Sequence, residues 1–169
     1  RHTNQGPKIV RGRYSKPWRM NLTTQDDHLT VTSEPGSFKD PDGGILYRGS
    51  LVYRYFTPEG AARFQGLAGS ELLKTMPSQG SVIGFKEADP HVIEELAKMA
   101  PHGSLFIEHP KIPFISYCYE WPFAMLRSAA LLYLEVLLAA LDQGYILKDA
   151  TPYNIQFMGP KPVMIDLAS

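Results

Sequence analysis

Early in the chain, apolar positions fall in short runs separated by turn-forming residues, the pattern of strands. Leu22 to Asp40 is polar, and its β-branched residues near Leu29 to Thr32 read as a short strand or loop. Asp40-Pro41-Asp42-Gly43-Gly44 is a strong turn signal. Beyond it, Ile45 to Arg48 and Leu51 to Phe56 flank Gly49-Ser50, which predicts a β-hairpin. The two turns together give a small antiparallel meander.

The period then lengthens. Pro58 suits the first turn of a helix, and Ala61, Phe64, Leu67, Ala68, Leu72 and Leu73 recur at helical spacing. Gly66 and Gly69 each weaken that helix by about 1 kcal/mol relative to Ala. Pro77-Ser78-Gln79-Gly80 ends it, and Ser81 to Phe85 reads as a strand. Asp89-Pro90, an N-cap followed by a first-turn proline, opens a helix to about Ala100. Ser104 to Ile107 and Pro113 to Tyr119 read as two further strands. From about Ala124 to Gln143 the chain is apolar nearly all round, which predicts a central core helix capped by Gly144. Glu135 is its interior acid and needs a hydrogen bond or solvent. Arg127 and Glu135 interrupt the run, so a buried helix is the better reading than a membrane span.

Composition narrows the classes. Apolar residues make up 44% and charged residues 20% of the 169 residues, as in a globular domain. Lys plus Arg and Asp plus Glu are 17 each, which rules out a binder working by bulk charge. The basic residues are uneven, however. Arg1 to Arg19 holds six cations and no acid, and reads as a solvated arm, with contact to a phosphate-rich or acidic partner as the alternative. No nucleic-acid or membrane partner is expected. The single cysteine, Cys118, excludes an internal disulfide and reads as a small core residue. One thiol and no apolar leader in the first 19 residues suggest a cytoplasmic protein. His91, His102 and His109 read as positions on a wet face, not as a ligand set.

The chemistry concentrates in Tyr145 to Ser169. Ile155 to Met158 and Val163 to Ile165 are strand-like, joined by Gly159-Pro160-Lys161-Pro162. The simplest register sets Ile155 opposite Asp166 and Gln156 opposite Ile165, so Asn154 and Asp166 share the open end of a ribbon. Asp149 lies five residues before Asn154, on the loop leaving the long helix. Three oxygen-bearing side chains thus converge. That suits Mg²⁺, which takes one or two protein oxygens and completes its shell with water and phosphate. An Asp not held by the metal can accept a hydroxyl proton. This is the division of labour in phosphoryl transfer.

Here the sequence resembles the protein-kinase-like superfamily. Asp149-Ala-Thr-Pro-Tyr-Asn154 matches the catalytic-loop pattern, and Val163-Met-Ile-Asp166 matches the metal-binding strand end. The sugar- and aminoglycoside-phosphorylating branch is the closer one, because Leu167 follows Asp166 in place of Phe-Gly. The resemblance implies Asp149 as catalytic base, Asn154 and Asp166 as Mg²⁺ ligands, and ATP as the nucleotide. It further implies a strand cation paired to a helix Glu, filled here by Arg54 and Glu71, with Arg54 in place of the usual Lys. The hinge against adenine falls at Tyr119-Glu120-Trp121-Pro122, which makes Glu120 a cofactor-side residue. Only Asp40 to Gly44 and Gly49 stand where a phosphate-covering glycine loop would be.

The strings PFISYCYEW, LKDATPYNIQF and PVMID are also similar to the N-terminal region of bacterial nodulation-related class I SAM-dependent methyltransferases. No Gly-rich turn of a methyltransferase fold occurs in this chain. The expected fold is therefore α+β and kinase-like. A basic arm and N-terminal segment (1–40) precede a small antiparallel β lobe with one helix (41–120). The start of a helical large lobe with a catalytic-loop hairpin follows (121–169). The expected activity is phosphoryl transfer from Mg-ATP or another nucleotide to a hydroxyl. The alternative is a pseudokinase-like regulatory or docking module that serves a methyltransferase domain or protein.

Overall fold

The structure, a computed structural model, describes residues 30–149 and 151–166. The expected basic arm lies outside the described residues. The elements run β1 (Val31–Ser33), β2 (Gly43–Arg48), β3 (Leu51–Phe56), α1 (Pro58–Ala68), α2 (Glu71–Gln79), β4 (Lys86–Glu87), α3 (Pro90–Met99), β5 (Leu105–Pro110), α4 (Phe123–Leu141), β6 (Ile155–Met158) and β7 (Lys161–Met164). The class is α+β. Five strands form one antiparallel sheet in the order β1-β2-β3-β5-β4, and β6-β7 form a separate ribbon.

Alternation along β3 builds two cores. Tyr53, with Leu46 and Phe106 from its neighbours, faces α3 and surrounds Leu96. Phe56 and Ile107 face the other way, toward α1, α2, α4 and the ribbon. Phe56 stacks on Phe64 of α1 at 4.6 Å between ring centroids. This second cluster runs from the sheet into Leu132, Val136 and Ile155, so packing is continuous across the expected boundary at residue 120.

Several elements differ from expectation for identifiable reasons. The single helix after Pro58 is two, because Ser70 caps a new start by accepting from the Leu73 amide. Residues 41–120 thus carry α1, α2 and α3, where the residue pattern predicted two helices and the kinase resemblance one. Ser81 to Phe85 is not a strand of the sheet. Its backbone instead meets the ribbon, with Ile83 N donating to Met164 O at 2.8 Å and Met164 N to Ser81 O at 3.0 Å. Pro113 to Tyr119 is not a strand either; the backbone of Ser116 is bonded to the Gln156 side chain instead. Cys118 begins a short 3-10 turn and is half-buried. The Gly144 cap is as expected. Tyr145 N bonds Ala140 O at 2.9 Å and Gly144 N bonds Leu141 O at 3.0 Å, closing the end of α4.

Two side-chain expectations also change. His109 is not on a wet face but buried within β5. α4 is not buried all round: Ala129, Leu132, Val136 and Ala140 face inward, while Leu131, Leu134, Leu138 and Leu141 stay exposed. Glu135 has both of its expected outlets, solvent and a bond from the Ser81 hydroxyl at 3.2 Å.

Leu96 is the fully buried centre of the α3 core. Leu96→Ala is expected to cost about 3 kcal/mol, from lost burial plus the cavity left behind. Urea unfolding at neutral pH checks it.

Candidate functional site

Arg54 sits in the middle of β3, between Ile45 and Ile107, on the face that also carries Phe56. Its side chain is only 10% exposed. A guanidinium there needs a counter-charge, since an unpaired buried charge is costly. Asp166 supplies it: Nη2 meets Asp166 Oδ1 at 2.9 Å. Asp40 stands second, at 3.9 Å from Nη1. The guanidinium also lies over the Phe56 ring, 5.9 Å from its centroid.

Asp166 reaches Arg54 from the open end of the ribbon. The hairpin is tighter than expected. Met158 pairs with Lys161, so the turn is Gly159-Pro160 alone, and Ile155 pairs with Met164 rather than Asp166. Gly159 takes φ +61°, while Pro160 keeps a negative φ, the combination a two-residue turn of type II′ requires. The shorter turn moves the register by two residues but leaves the faces unchanged, because the side-chain period is two. Ile165 N donates to Asn154 O at 2.8 Å, so Asn154 and Asp166 still share the ribbon's open end.

Asp149 is tied to the same place through its backbone. Its carbonyl accepts from Asn154 Nδ2 at 3.0 Å and from the Tyr133 hydroxyl at 3.2 Å. The Asp149 side chain itself is exposed. The adjacent Lys148 reaches across to the turn before β2, where Nζ lies 3.4 Å from Asp42 Oδ2. Arg63 of α1 binds the same carboxylate through Nη2 and Nε. Asp40 shapes that turn, its Oδ1 accepting from Asp42 N at 2.9 Å.

The expected Arg54–Glu71 pair is not formed. Glu71 opens α2, is largely exposed and binds Lys74 at 2.6 Å one turn along. The helix break at Ser70 places it there, where a carboxylate also suits the helix N-terminus. Glu120 serves its own 3-10 turn, accepting from Tyr117 N at 3.0 Å. Around it, Tyr117 and Tyr119 stack on each other in solvent, while Trp121 is buried and donates to Ser116 Oγ at 2.9 Å. Gly43 has a packing reason to be glycine. A Cβ there would lie 1.9 Å from the Tyr55 carbonyl oxygen, so Gly43 lets β2 and β3 approach.

Asp40, Asp42, Arg63 and Lys148 are the residues that sequence reasoning missed. Asp40 and Asp42 were legible as turn formers and within a candidate phosphate-covering loop, not as ion-pair partners. The partners of Asp42 lie 21 and 106 residues away, a spacing that no local pattern carries. Beside them opens a cavity of about 310 Å³, lined by Asp42, Phe56, Gly60, Arg63, Phe64, Leu67 and Lys148. It is apolar at its floor and charged at its mouth, a mixture common in ligand sites. None of the predicted site residues Arg54, Glu71, Glu120, Asp149, Asn154 and Asp166 lines it.

Electrostatics follow the geometry. The Arg63 hydrogen bond holds the Asp42 carboxyl below the usual range; burial opposes this and Lys148 adds to it. Burial pushes His109 down to about 4. A bond between Nδ1 and Gly84 O at 3.0 Å and the charge of Asp166 work against that shift, while the Arg54 charge adds to it. Nε2 has no hydrogen-bond partner among the described residues. Among those residues, no three His, Cys, Asp or Glu side chains gather as a metal cage. Asp166 and Asn154, at the ribbon's open end, carry oxygens of the kind a hard cation takes, with Asp166 Oδ1 on Arg54 and Asn154 Nδ2 on the Asp149 carbonyl.

His109 gives the fold a pH dependence whose sign is fixed. Its folded pKa lies below its unfolded value of 6.5. Its stability contribution is therefore full above that value and is lost as pH falls toward about 4. His109→Asn removes this titration while keeping an amide donor at the Nδ1 position for Gly84 O. Urea unfolding at stepped pH should show the wild type losing up to about 1.4 kcal/mol per pH unit in this window relative to the variant.

Comparison with known proteins places the chain beside one curated relative. Over 133 residues, 78% of this chain, it is 35% identical to nodulation protein NoeA of Rhizobium meliloti (strain 1021). The chain spans about a quarter of that protein's length, 26%. No family model and no solved structure matches. The similarity relates this chain to nodulation proteins.

Proposed function

We propose that this chain forms the nucleotide-binding part of a kinase-like phosphotransferase, with Mg-ATP as donor and a hydroxyl as acceptor. The observation that carries the reading is the Arg54–Asp166 pair. A strand cation and a carboxylate at the ribbon's end meet within 2.9 Å, next to the loop that joins Asp149 to Asn154. Arg54 also lies over Phe56, which lines the neighbouring cavity.

In this reading Asp166 and Asn154 would hold Mg²⁺, which when bound supplies positive charge to the phosphate oxygens. Arg54 exchanges Asp166 for a phosphate oxygen. Its planar fork suits two oxygens at once, where a Lys would present a point charge. Lys148 and Arg63 add positive charge at the cavity mouth. Asp149, exposed on the loop, orients the acceptor hydroxyl and takes its proton. The acceptor oxygen bonds the γ-phosphorus as the bond to the nucleoside diphosphate breaks. Glu71 has no part in this scheme.

A second reading is a pseudokinase-like regulatory or docking module within a longer protein, such as one serving a methyltransferase. What favours it is that Glu71 pairs with Lys74, so Arg54 lacks the helix carboxylate that the kinase resemblance implies.

Thermal unfolding with Mg-ATP tests the binding. Nucleotide at a hundred times its Kd should add about 2.7 kcal/mol of stability. Asp166→Ala should abolish that gain and itself cost about 2 kcal/mol, because Arg54 loses its nearest counter-charge. Asp149→Asn should keep the gain while turnover falls by about 100-fold or more. Absence of any gain in the folded wild type removes both the nucleotide and the kinase reading. Unchanged turnover in Asp149→Asn removes Asp149 as the base. A gain without turnover in the wild type selects the regulatory module.

A further inference from the structure

We propose that the outer face of α4 is the docking surface for an amphipathic helix contributed by the same, longer polypeptide. α4 has two apolar stripes. The inner one is used by the core. The outer one, Leu131, Leu134, Leu138 and Leu141, is 51–63% exposed. Its 3-4-3 spacing is that of a helix-packing seam, in which each leucine enters a hole formed by a facing helix. A contiguous exposed row of leucines on a folded domain marks an interface.

Three occupants could cover such a row. A membrane is poorly matched. Ala129, Leu132, Val136 and Ala140 of α4 are packed in the protein core, so lipid could reach the opposite face only and no spanning helix is formed. A second copy is poorly matched in charge. Glu135 and Asp142 lie seven residues apart along one edge of the seam. An antiparallel copy sets this acidic edge against itself, and a parallel copy sets it against Ala130 and Leu137. A helix with an apolar seam and Lys or Arg on the facing edge satisfies both the leucines and the carboxylates. The relative supplies the source: about three quarters of its length lies beyond the matched part. This inference does not depend on nucleotide binding.

The test uses the full-length polypeptide in a Cys118→Ser background, with Leu138→Cys as a single exposed probe and Leu131→Cys as a second. Maleimide labelling of the native protein is compared with labelling in urea. Protection of about tenfold or more at both positions, unchanged on about hundredfold dilution, is expected for a covering helix within one polypeptide. Labelling at the unfolded rate overturns the proposal. So does protection that is lost on dilution, which assigns the face to a second copy. Protection that requires lipid vesicles also overturns it, assigning the face to a membrane.

Discussion

A guanidinium held almost out of water on a sheet face is the constraint around which the rest is arranged. Arg54 cannot be desolvated alone, because the lost hydration of an isolated charge exceeds what one strand position gains by burial. Asp166 makes the position tenable, and Asp166 belongs to the ribbon and not to the sheet. The ribbon must therefore dock on the sheet face that carries Arg54 and Phe56. The backbone bonds between Met164 and the Ser81–Ile83 segment fix how it docks. A second ionic junction, Lys148 and Arg63 on Asp42, ties the loop after α4 to the turn before β2. Charge pairing thus brings residues from both ends of the described chain to one place, and apolar packing of Phe56, Val136 and Ile155 fills the space beneath.

Much of this was legible in the sequence where pattern is local. The β2-β3 hairpin, α3 with its Asp89-Pro90 start, and α4 with its Gly144 cap all follow from short-range signals. The convergence of Asn154 and Asp166 survived a wrong register because a two-residue shift preserves which side chains share a face. What was not legible depended on distant partners. Ser81 to Phe85 has strand composition, yet its bonds go to Met164. Glu71 has the right type and spacing for a partner of Arg54, yet a serine cap one residue earlier turns it into the start of a new helix. His109 sits in an apolar stretch whose burial only the assembled sheet decides.

The all-round apolarity of α4 was misread for a related reason. Periodicity tells how many faces of a helix are apolar, not how many of them the visible chain can cover. Two stripes of comparable hydrophobicity, one of small and branched residues and one of leucines, look alike in sequence. In space, the first meets β7 and the second meets solvent.

The segment between β5 and α4 is held in a way that separates sequence from shape. Gln156, buried in the ribbon, donates to Ser116 O and accepts from Ser116 N, both at 3.0 Å. One side-chain amide thereby imitates a rung of backbone pairing. Since the rung engages the main chain of residue 116, many side chains are tolerated at that position as far as this clasp is concerned. At 156 the requirement is strict. Glutamate has no donor for the carbonyl, and asparagine falls one methylene short. The connector's path is thus encoded some forty residues downstream of the connector itself.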